Sequence, residues 1–421
     1  MGQGTTTNSN DGKEIGNGNG TGARPQFDSE DIKNIATVLG QLVLLDRNNK
    51  SKLFRHCSTV VALFSTELKQ YILHRQEWVA VNPVLVAMIM GQYIGGVQCF
   101  FKPFAFNSNS GRNDSKQNIE SILLEFTEIV IQCYSCCPSN DDLRSVSMTF
   151  VHKAVFLLKE GIVNQLDGAL RMYIEWMSEN NAMFTLQIIT NIVGQLRGSF
   201  VPTLDGMFCP LFEKTYHILA QIESANRVSA GYGQEVASKL EIQKHFYSFL
   251  LKVFQSGCFA VLVSNANAPH FEKVIDSVLE GCVIGRGLDI GAHKLCFTIL
   301  KEMLSAMRNS NPMMKDLYCR RVLKVTFDFV MHREYDEKKP EFDRTLKTHI
   351  FGIHRLMFEV FGSEVIGNQI GNYLVSQLNA DRKDAQRYCQ LCLKADRQSA
   401  RKQKDIVMSM RSLTHFNANR L

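Results

Sequence analysis

The chain has 421 residues, of which 45% are hydrophobic and 21% are charged, and its formal net charge is +6. It is long and apolar enough to bury a large core, and its nine prolines and 28 glycines are too few for an all-β chain cut into many short strands. The net charge is too small to indicate nucleic-acid binding by itself.

The first 25 residues differ from the rest of the chain. Gly, Asn and Thr dominate them, and Ile15 is the only large apolar side chain after Met1. Such a segment cannot offset the entropy cost of ordering, so we predict a disordered lead-in over residues 1–25. Its start, Met1 to Thr6, fits the loose myristoylation pattern, but a flexible lead-in is the favoured interpretation.

From residue 26 to the end, the sequence predicts one amphipathic helix after another. Apolar residues recur at steps of three and four, which places them on one face of a helix. Three such stripes are Leu143/Val146/Phe150/Ala154/Leu157, Leu186/Ile189/Val193/Leu196 and Ala292/Leu295/Ile299/Met303. Ser139, which follows the helix-breaking Pro138, is predicted to cap the first of these helices.

Long helices joined by short breaks pack as antiparallel neighbours. HEAT-like helix pairs need ~40–47 residues each, so about eight or nine pairs fit this length. We therefore predict an all-α fold, a right-handed α-α superhelix of the HEAT/armadillo solenoid type, over residues 26–421. Such an array is a binding scaffold, and a reactive centre is not expected in it.

One apolar stretch raises the question of a membrane. Residues Trp78 to Phe101 carry no charge and include the spacing Gly91-xxx-Gly95. Polar residues and Pro83 interrupt the stretch, and a buried solenoid helix needs the same apolar character. The favoured prediction is therefore a core helix and no membrane partner.

Twelve cysteines without a secretory signal indicate reduced thiols in the cytosol or nucleus. Two CxxC spacings, Cys133/Cys136 and Cys389/Cys392, invite a zinc or redox interpretation. On a helix Cys389 and Cys392 fall on one apolar face and Cys133 continues another, where a small hydrophobic residue is expected. The pairs lie far apart in sequence, and no nearby histidine completes a four-ligand site. Buried structural thiols are the favoured interpretation.

Catalytic motifs are missing from the sequence. It contains no GxSxG elbow, HExxH helix, GxxxxGK[ST] loop or EF-hand loop. The eleven histidines are scattered singly, and His152 and His293 are interpreted as core or groove residues. We predict neither an enzyme nor a resident cofactor or metal.

The positive charge is concentrated at the carboxyl end. Residues 381–421 hold ten Lys/Arg and four Asp, whereas the preceding residues balance to zero. If one helix runs through this region, or two helices align, six cations form a ridge opposite the core face of Ala385, Tyr388 and Cys392. They are Lys383, Arg387, Lys394, Arg397, Arg401 and Lys404. Such a ridge suits the repeated phosphates of RNA, and the alternative is the solvated outer face of a terminal repeat.

Several segments resemble exportin-T, a tRNA exporter of the importin-β superfamily. The strongest is Gln243–Leu300, with a Tyr-x-Phe-Leu helix, a Gly break, an Asn-containing loop and the helix AHKLCFTIL. Leu143–Leu158 and Leu186–Leu211 are similar to family segments in order and spacing, and Ile32–Lys69 is similar more loosely. The resemblance covers about Asp28–Met307, and the order of the segments carries it.

The resemblance implies a non-enzymatic export receptor that shuttles between nucleus and cytoplasm. Exportin-T-like proteins are HEAT superhelices that bind mature tRNA together with Ran-GTP, and nuclear pore proteins are further partners. Because only the carboxyl-terminal part of the family is resembled, the repeats with the main Ran-binding surface have no counterpart here. The chain is therefore expected to be a piece of a longer exportin or to bind cargo with little Ran dependence. The alternatives are a HEAT-repeat protein-binding scaffold without RNA cargo and a membrane-anchored protein.

Overall fold

The computed structural model describes residues 29–45, 50–102, 113–228, 234–284, 288–306, 312–394 and 397–418. These residues form helices and short turns, and none of them lies in a β-strand. The all-α prediction is therefore confirmed for the described part of the chain. The predicted lead-in, residues 1–25, lies outside it.

The helices follow one another with short connections. The first eleven are α1 Ser29–Leu45, α2 Lys50–Leu73, α3 Arg75–Val81, α4 Pro83–Phe101, α5 Asn113–Cys136, α6 Asp141–Leu158, α7 Val163–Glu175, α8 Glu179–Leu196, α9 Val201–Val228, α10 Gln234–Gln255 and α11 Ala268–Gly281. The next eight are α12 Ile290–Ala306, α13 Pro312–Asp316, α14 Leu323–Met331, α15 Pro340–Arg344, α16 Phe351–Phe361, α17 Ser363–Leu378, α18 Arg382–Cys392 and α19 Arg397–Ala418. π-helical turns over Leu317–Val322 and Thr345–Ile350 lead into α14 and α16.

Side-chain caps set where several helices begin. Asn140 caps α6 by accepting a 2.8 Å hydrogen bond from the backbone N–H of Leu143, one residue later than the predicted cap at Ser139. Ser178 and Asn181 form a capping box at the start of α8. These caps satisfy amide groups that a helix leaves without a partner, so each helix starts at a defined residue.

Helices stack in two rows. In the first row α1 contacts α4, α4 contacts α6, and the stack continues through α8 and α10 to α12 and α16. In the second row α2 contacts α5, which contacts α7, which contacts α9. Each helix thus packs on the helix at the corresponding position in the neighbouring pair. The buried side chains form one continuous core. This stacking is the architecture of a HEAT-type solenoid.

The same bend occurs in two successive helix pairs. After α6, Lys159 has φ 50° and ψ −125°, and after α8, Arg197 has φ 48° and ψ −130°. A single 3₁₀ turn follows each bend, over Lys159–Ile162 and Arg197–Phe200, before the next α-helix starts. The two bends are about one HEAT repeat apart. The backbone conformation is therefore repeated, although the amino-acid sequence shows no obvious repeat.

Helix α4 contains most of the uncharged stretch. Among the described residues it is the one helix long and apolar enough to cross a membrane, and half of its most apolar window is buried. It packs tightly on α1, since a Cβ at Gly40 would overlap the carbonyl oxygen of Phe100. On its other side α4 contacts α6. These are the contacts of the core helix that the sequence predicts.

Candidate nucleic-acid interface

Helix α18 is fixed to the solenoid by the face that the sequence assigns to the core. Ala385, Tyr388 and Cys392 are buried, whereas Lys383 and Arg387 are exposed. The Tyr388 hydroxyl lies 2.7 Å from Nδ1 of His354 on α16. Asp381 caps the helix by accepting a 2.7 Å hydrogen bond from the backbone N–H of Lys383. The orientation of the first two predicted cations therefore follows from a specific buried contact.

The six predicted cations do not lie on one continuous helix. Helix α18 ends at Cys392, and α19 starts at Arg397 and packs back against α18. Nε2 of Gln403 donates a 3.0 Å hydrogen bond to Sγ of Cys392, although eleven residues separate them. In a straight helix that separation would exceed about 16 Å. The side chain of Arg397 lies outside the described residues.

Lys404 is engaged within the protein. Its Nζ donates a 2.7 Å hydrogen bond to Asp343, and Lys347 donates another of 2.8 Å to the same carboxylate. Burial alone would raise the pKa of Asp343, but the hydrogen bonds from Lys347 and Lys404 lower it below its usual range. This shared carboxylate ties α19 to the turn that precedes α16.

A basic groove of about 510 Å³ opens beside this contact. Its wall includes two of the predicted cations, Lys394 and Arg401, which are both exposed. Three further cations line it: Lys301, Lys347 and Arg355. Phe351, Thr348 and Gln403 complete much of the lining, and its described residues include no carboxylate. We call this surface the basic groove.

The cations of the basic groove differ in how they are neutralised. Lys347 pairs with Asp343, and Arg355 pairs with Glu359 at 3.1 Å. Lys301, Lys394 and Arg401 form no ion pair with another described residue. Within the described part of the chain these three charges remain available to an anion, and an RNA phosphate is the anion that repeated cations attract.

One lysine of α12, Lys301, reaches the groove from a helix that packs on α16. A Cβ at Gly352 would lie 3.5 Å from Nζ of Lys301, so this lysine lies over the first turn of α16. His349 lies nearby, and its Nδ1 is 3.2 Å from the Thr298 hydroxyl. Burial, together with the charges of Lys294 and Lys301, lowers the pKa of His349 to about 4. The imidazole is therefore neutral at physiological pH and adds no charge to the groove.

Sequence reasoning missed Lys301, Lys347 and Arg355. They lie in a region of balanced charge, and no local spacing distinguishes them from solvated lysines and arginines. Only the packing of α12, α16 and α19 brings them beside Lys394 and Arg401. Lys383 and Arg387 lie on the exposed face of α18 and do not line the basic groove.

The cysteines of the two CxxC spacings lie on helices and are buried or half-buried. Cys133 and Cys392 are buried, and Cys136 and Cys389 are half-buried. Burial raises the pKa of Cys389 to about 11, and its thiol donates to the carbonyl of Gly367 at 3.6 Å. These are protonated structural thiols, as the sequence predicts. His293 is likewise a core residue, with Nδ1 2.8 Å from the carbonyl oxygen of Gly281.

The two rows of stacked helices define a class of protein, the HEAT-type α-solenoid, whose members bind macromolecules along an extended surface. The particular family is established by sequence comparison. The chain belongs to the exportin-T family, whose model matches residues 87–410. The predicted resemblance is therefore confirmed. The match continues beyond Met307 to residue 410, whereas the segment Ile32–Lys69 lies before its start at residue 87.

Similarity to individual relatives is distant and partial. The chain is 25% identical to Exportin-T of Homo sapiens over 183 residues, which are 44% of this chain and 18% of that protein. It is 22% identical to Exportin-T of Dictyostelium discoideum over 238 residues, 55% of this chain and 21% of that protein. The matched stretch thus spans about a fifth of these relatives. The exportin-T family consists of non-enzymatic transport receptors, which confirms the prediction that the chain is not an enzyme.

Proposed function

We propose that this chain binds tRNA and takes part in its export from the nucleus to the cytoplasm. Membership of the exportin-T family supports this proposal. The observation that carries it is the basic groove, in which Lys301, Lys394 and Arg401 have no ion-pair partner among the described residues. Phosphate contacts of this kind give affinity and orientation without reading base sequence.

The proposed recognition is of shape and backbone. A-form RNA hides its base edges in a deep, narrow groove, so a rigid cationic surface contacts phosphates and ribose hydroxyls instead. The basic groove would engage one segment of the backbone, and Lys383 and Arg387 on α18 would engage phosphates further along. We propose Ran-GTP and nuclear pore proteins as partners and shuttling between nucleus and cytoplasm, on the basis of the family alone.

The experiment is a titration of the purified chain into labelled mature tRNA, with and without Ran-GTP, at several salt concentrations. A single-stranded poly-uridylate with the same number of phosphates is the control. We expect tighter binding to tRNA than to this control, with affinity falling steeply as salt rises. Equal affinity for the two RNAs would contradict shape recognition. Binding to neither RNA would favour the protein-binding scaffold.

A further inference from the structure

A second cluster of polar side chains lies far from the basic groove in sequence. Cys209 and Glu213 are one turn apart on α9, and His270 lies in the first turn of α11. One ligand atom of each side chain, the thiol sulfur, a carboxylate oxygen and an imidazole nitrogen, lies within 4.8 Å of the others. These are three of the atom types that zinc binds in proteins. We call this set the Cys-Glu-His cluster.

Distances within the Cys-Glu-His cluster suit one shared ion. Nε2 of His270 is 3.7 Å from Oε1 of Glu213. This separation is too long for a hydrogen bond. It is close to the separation of about 3.3–3.8 Å between two ligands that bind one tetrahedral ion at about 2.0–2.3 Å. The carboxylate and the imidazole are thus spaced as ligands of one ion.

The imidazole of His270 lacks the contacts that normally satisfy a histidine. Its Nδ1 is buried and has no hydrogen-bond partner in the described part of the chain. The ring is held from one side by Phe212, with the ring centroids 6.1 Å apart and nearly perpendicular. The ring is thus held in one orientation, with Nε2 towards the Glu213 carboxylate, and a neutral imidazole held in this way can bind a metal ion.

Charge around the cluster favours a cation. Two members of the cluster, Glu213 and His270, line a groove of about 430 Å³, and Asp276, Glu280 and one lysine, Lys273, line it as well. Three carboxylates against one ammonium group make the local potential negative. Asp276 is also paired with Arg321, so Glu213 and Glu280 carry most of the attraction.

We propose that Cys209, Glu213 and His270 bind one zinc ion, with a water molecule as the fourth ligand. Binding releases the proton of the Cys209 thiol to solvent and forms the zinc–thiolate bond, so affinity rises with pH. Partial burial and the neighbouring Glu213 carboxylate raise the pKa of this thiol, so the metal-free side chain is protonated. The ion would join α9 to α11.

The test uses the full chain, reduced and stripped of metal with a chelator. Co²⁺ is the probe, because thiolate ligation gives a charge-transfer absorption in the near ultraviolet that carboxylates and imidazoles do not give. We expect one Co²⁺ per chain with this absorption, and displacement of the cobalt by Zn²⁺. Zn²⁺ should also raise the melting temperature, since the three ligands are held together only in the folded chain.

Variants separate this site from the other eleven cysteines. Cys209→Ser should abolish the absorption, and Glu213→Gln and His270→Gln should each weaken Co²⁺ binding at least about tenfold. Cys136→Ser is the matched control, because Cys136 is a half-buried helical cysteine that lies beside Arg75. An absorption that survives Cys209→Ser, or a Zn²⁺-dependent melting shift that Glu213→Gln leaves unchanged, would overturn the proposal.

Discussion

The imidazole of His354 on α16 lies between the hydroxyl of Tyr388 on α18 and the hydroxyl of Thr326 on α14, and it contacts both. Nδ1 of His354 lies 2.7 Å from the hydroxyl of Tyr388, and Nε2 lies 2.7 Å from the hydroxyl of Thr326. All three side chains are buried. Complete burial lowers the pKa of His354 from its ordinary 6.5 to about 3, so the ring is neutral in the folded chain.

This buried imidazole predicts acid sensitivity. The folded chain keeps His354 neutral down to about pH 3, whereas in the unfolded chain the ring is protonated below about pH 6.5. The contribution of this group to the free energy of unfolding is therefore fully present above pH 6.5 and is lost as the pH falls toward 3. Between pH 7 and pH 5 we expect a loss of about 2 kcal/mol in the free energy of unfolding from this group. Urea titrations of the wild type and of His354→Gln at both pH values measure it.

The variant should be less stable at pH 7, because Tyr388 and Thr326 lose their shared partner, by about 1–3 kcal/mol. It should also lose about 2 kcal/mol of the difference between pH 7 and pH 5. His349, whose pKa is lowered to about 4, should account for a part of similar size in both proteins. His217→Gln is the control, since His217 is exposed on α9. A pH dependence that His354→Gln leaves intact would show that another group is responsible.

If the basic groove binds phosphates, the affinity for tRNA and its dependence on salt should both change when the groove cations are removed. Replacing Lys301, Lys394 and Arg401 together by Gln should weaken tRNA binding and lower the slope of log affinity against log salt by about 0.7–0.9 for each phosphate that the variant no longer neutralises. Fluorescence anisotropy at four salt concentrations gives both quantities. Charge reversal of Lys383, Arg387 and Lys394 tests the ridge predicted from the sequence in the same assay.

The matched control removes the same charge elsewhere. Arg320, Lys324 and Arg333 are not part of the groove lining, and their replacement by Gln should leave the slope nearly unchanged. If both triple variants lower the slope equally, net charge explains the binding and the groove has no special role.

Lys404 is expected to act in stability. Its side chain is 20% exposed and donates to Asp343, which is 27% exposed. Lys404→Met keeps the aliphatic stem and removes one of the two hydrogen bonds to that carboxylate, so we expect a loss of about 1 kcal/mol. Thermal melts check this value. An equal loss of tRNA affinity in Lys404→Met and Lys301→Gln would return Lys404 to the RNA-binding set.

The repeated bend predicts a stabilising substitution. Arg197 is exposed and has φ 48°, a conformation that side chains other than glycine adopt with strain. Arg197→Gly should therefore raise the free energy of unfolding by up to about 1 kcal/mol. Gln195→Gly, two residues earlier on the exposed face of α8, should lower it by about 1 kcal/mol. Two losses of similar size would contradict the strain at Arg197.

The sequence alone determined the helical class, the family and the core face of α18. Each depends on residues close together in the chain: a helix repeats every 3.6 residues, so Ala385, Tyr388 and Cys392 share one face wherever the helix packs. Lys383 and Arg387 were placed on the opposite, exposed face by the same local reasoning, and this is where the structure has them. Their role in RNA binding stays a prediction.

Only the tertiary structure decided which charges meet. Asp343 neutralises Lys404 from 61 residues away, and Lys301 reaches the groove from α12. Helix periodicity gives the direction of a side chain from its own axis, but not the neighbouring helix that lies there. The turn between α18 and α19 reverses the chain, so cations predicted on one ridge divide between an exposed face, a groove and an internal ion pair. Cys209 and His270 meet for the same reason, through the packing of helices distant in sequence.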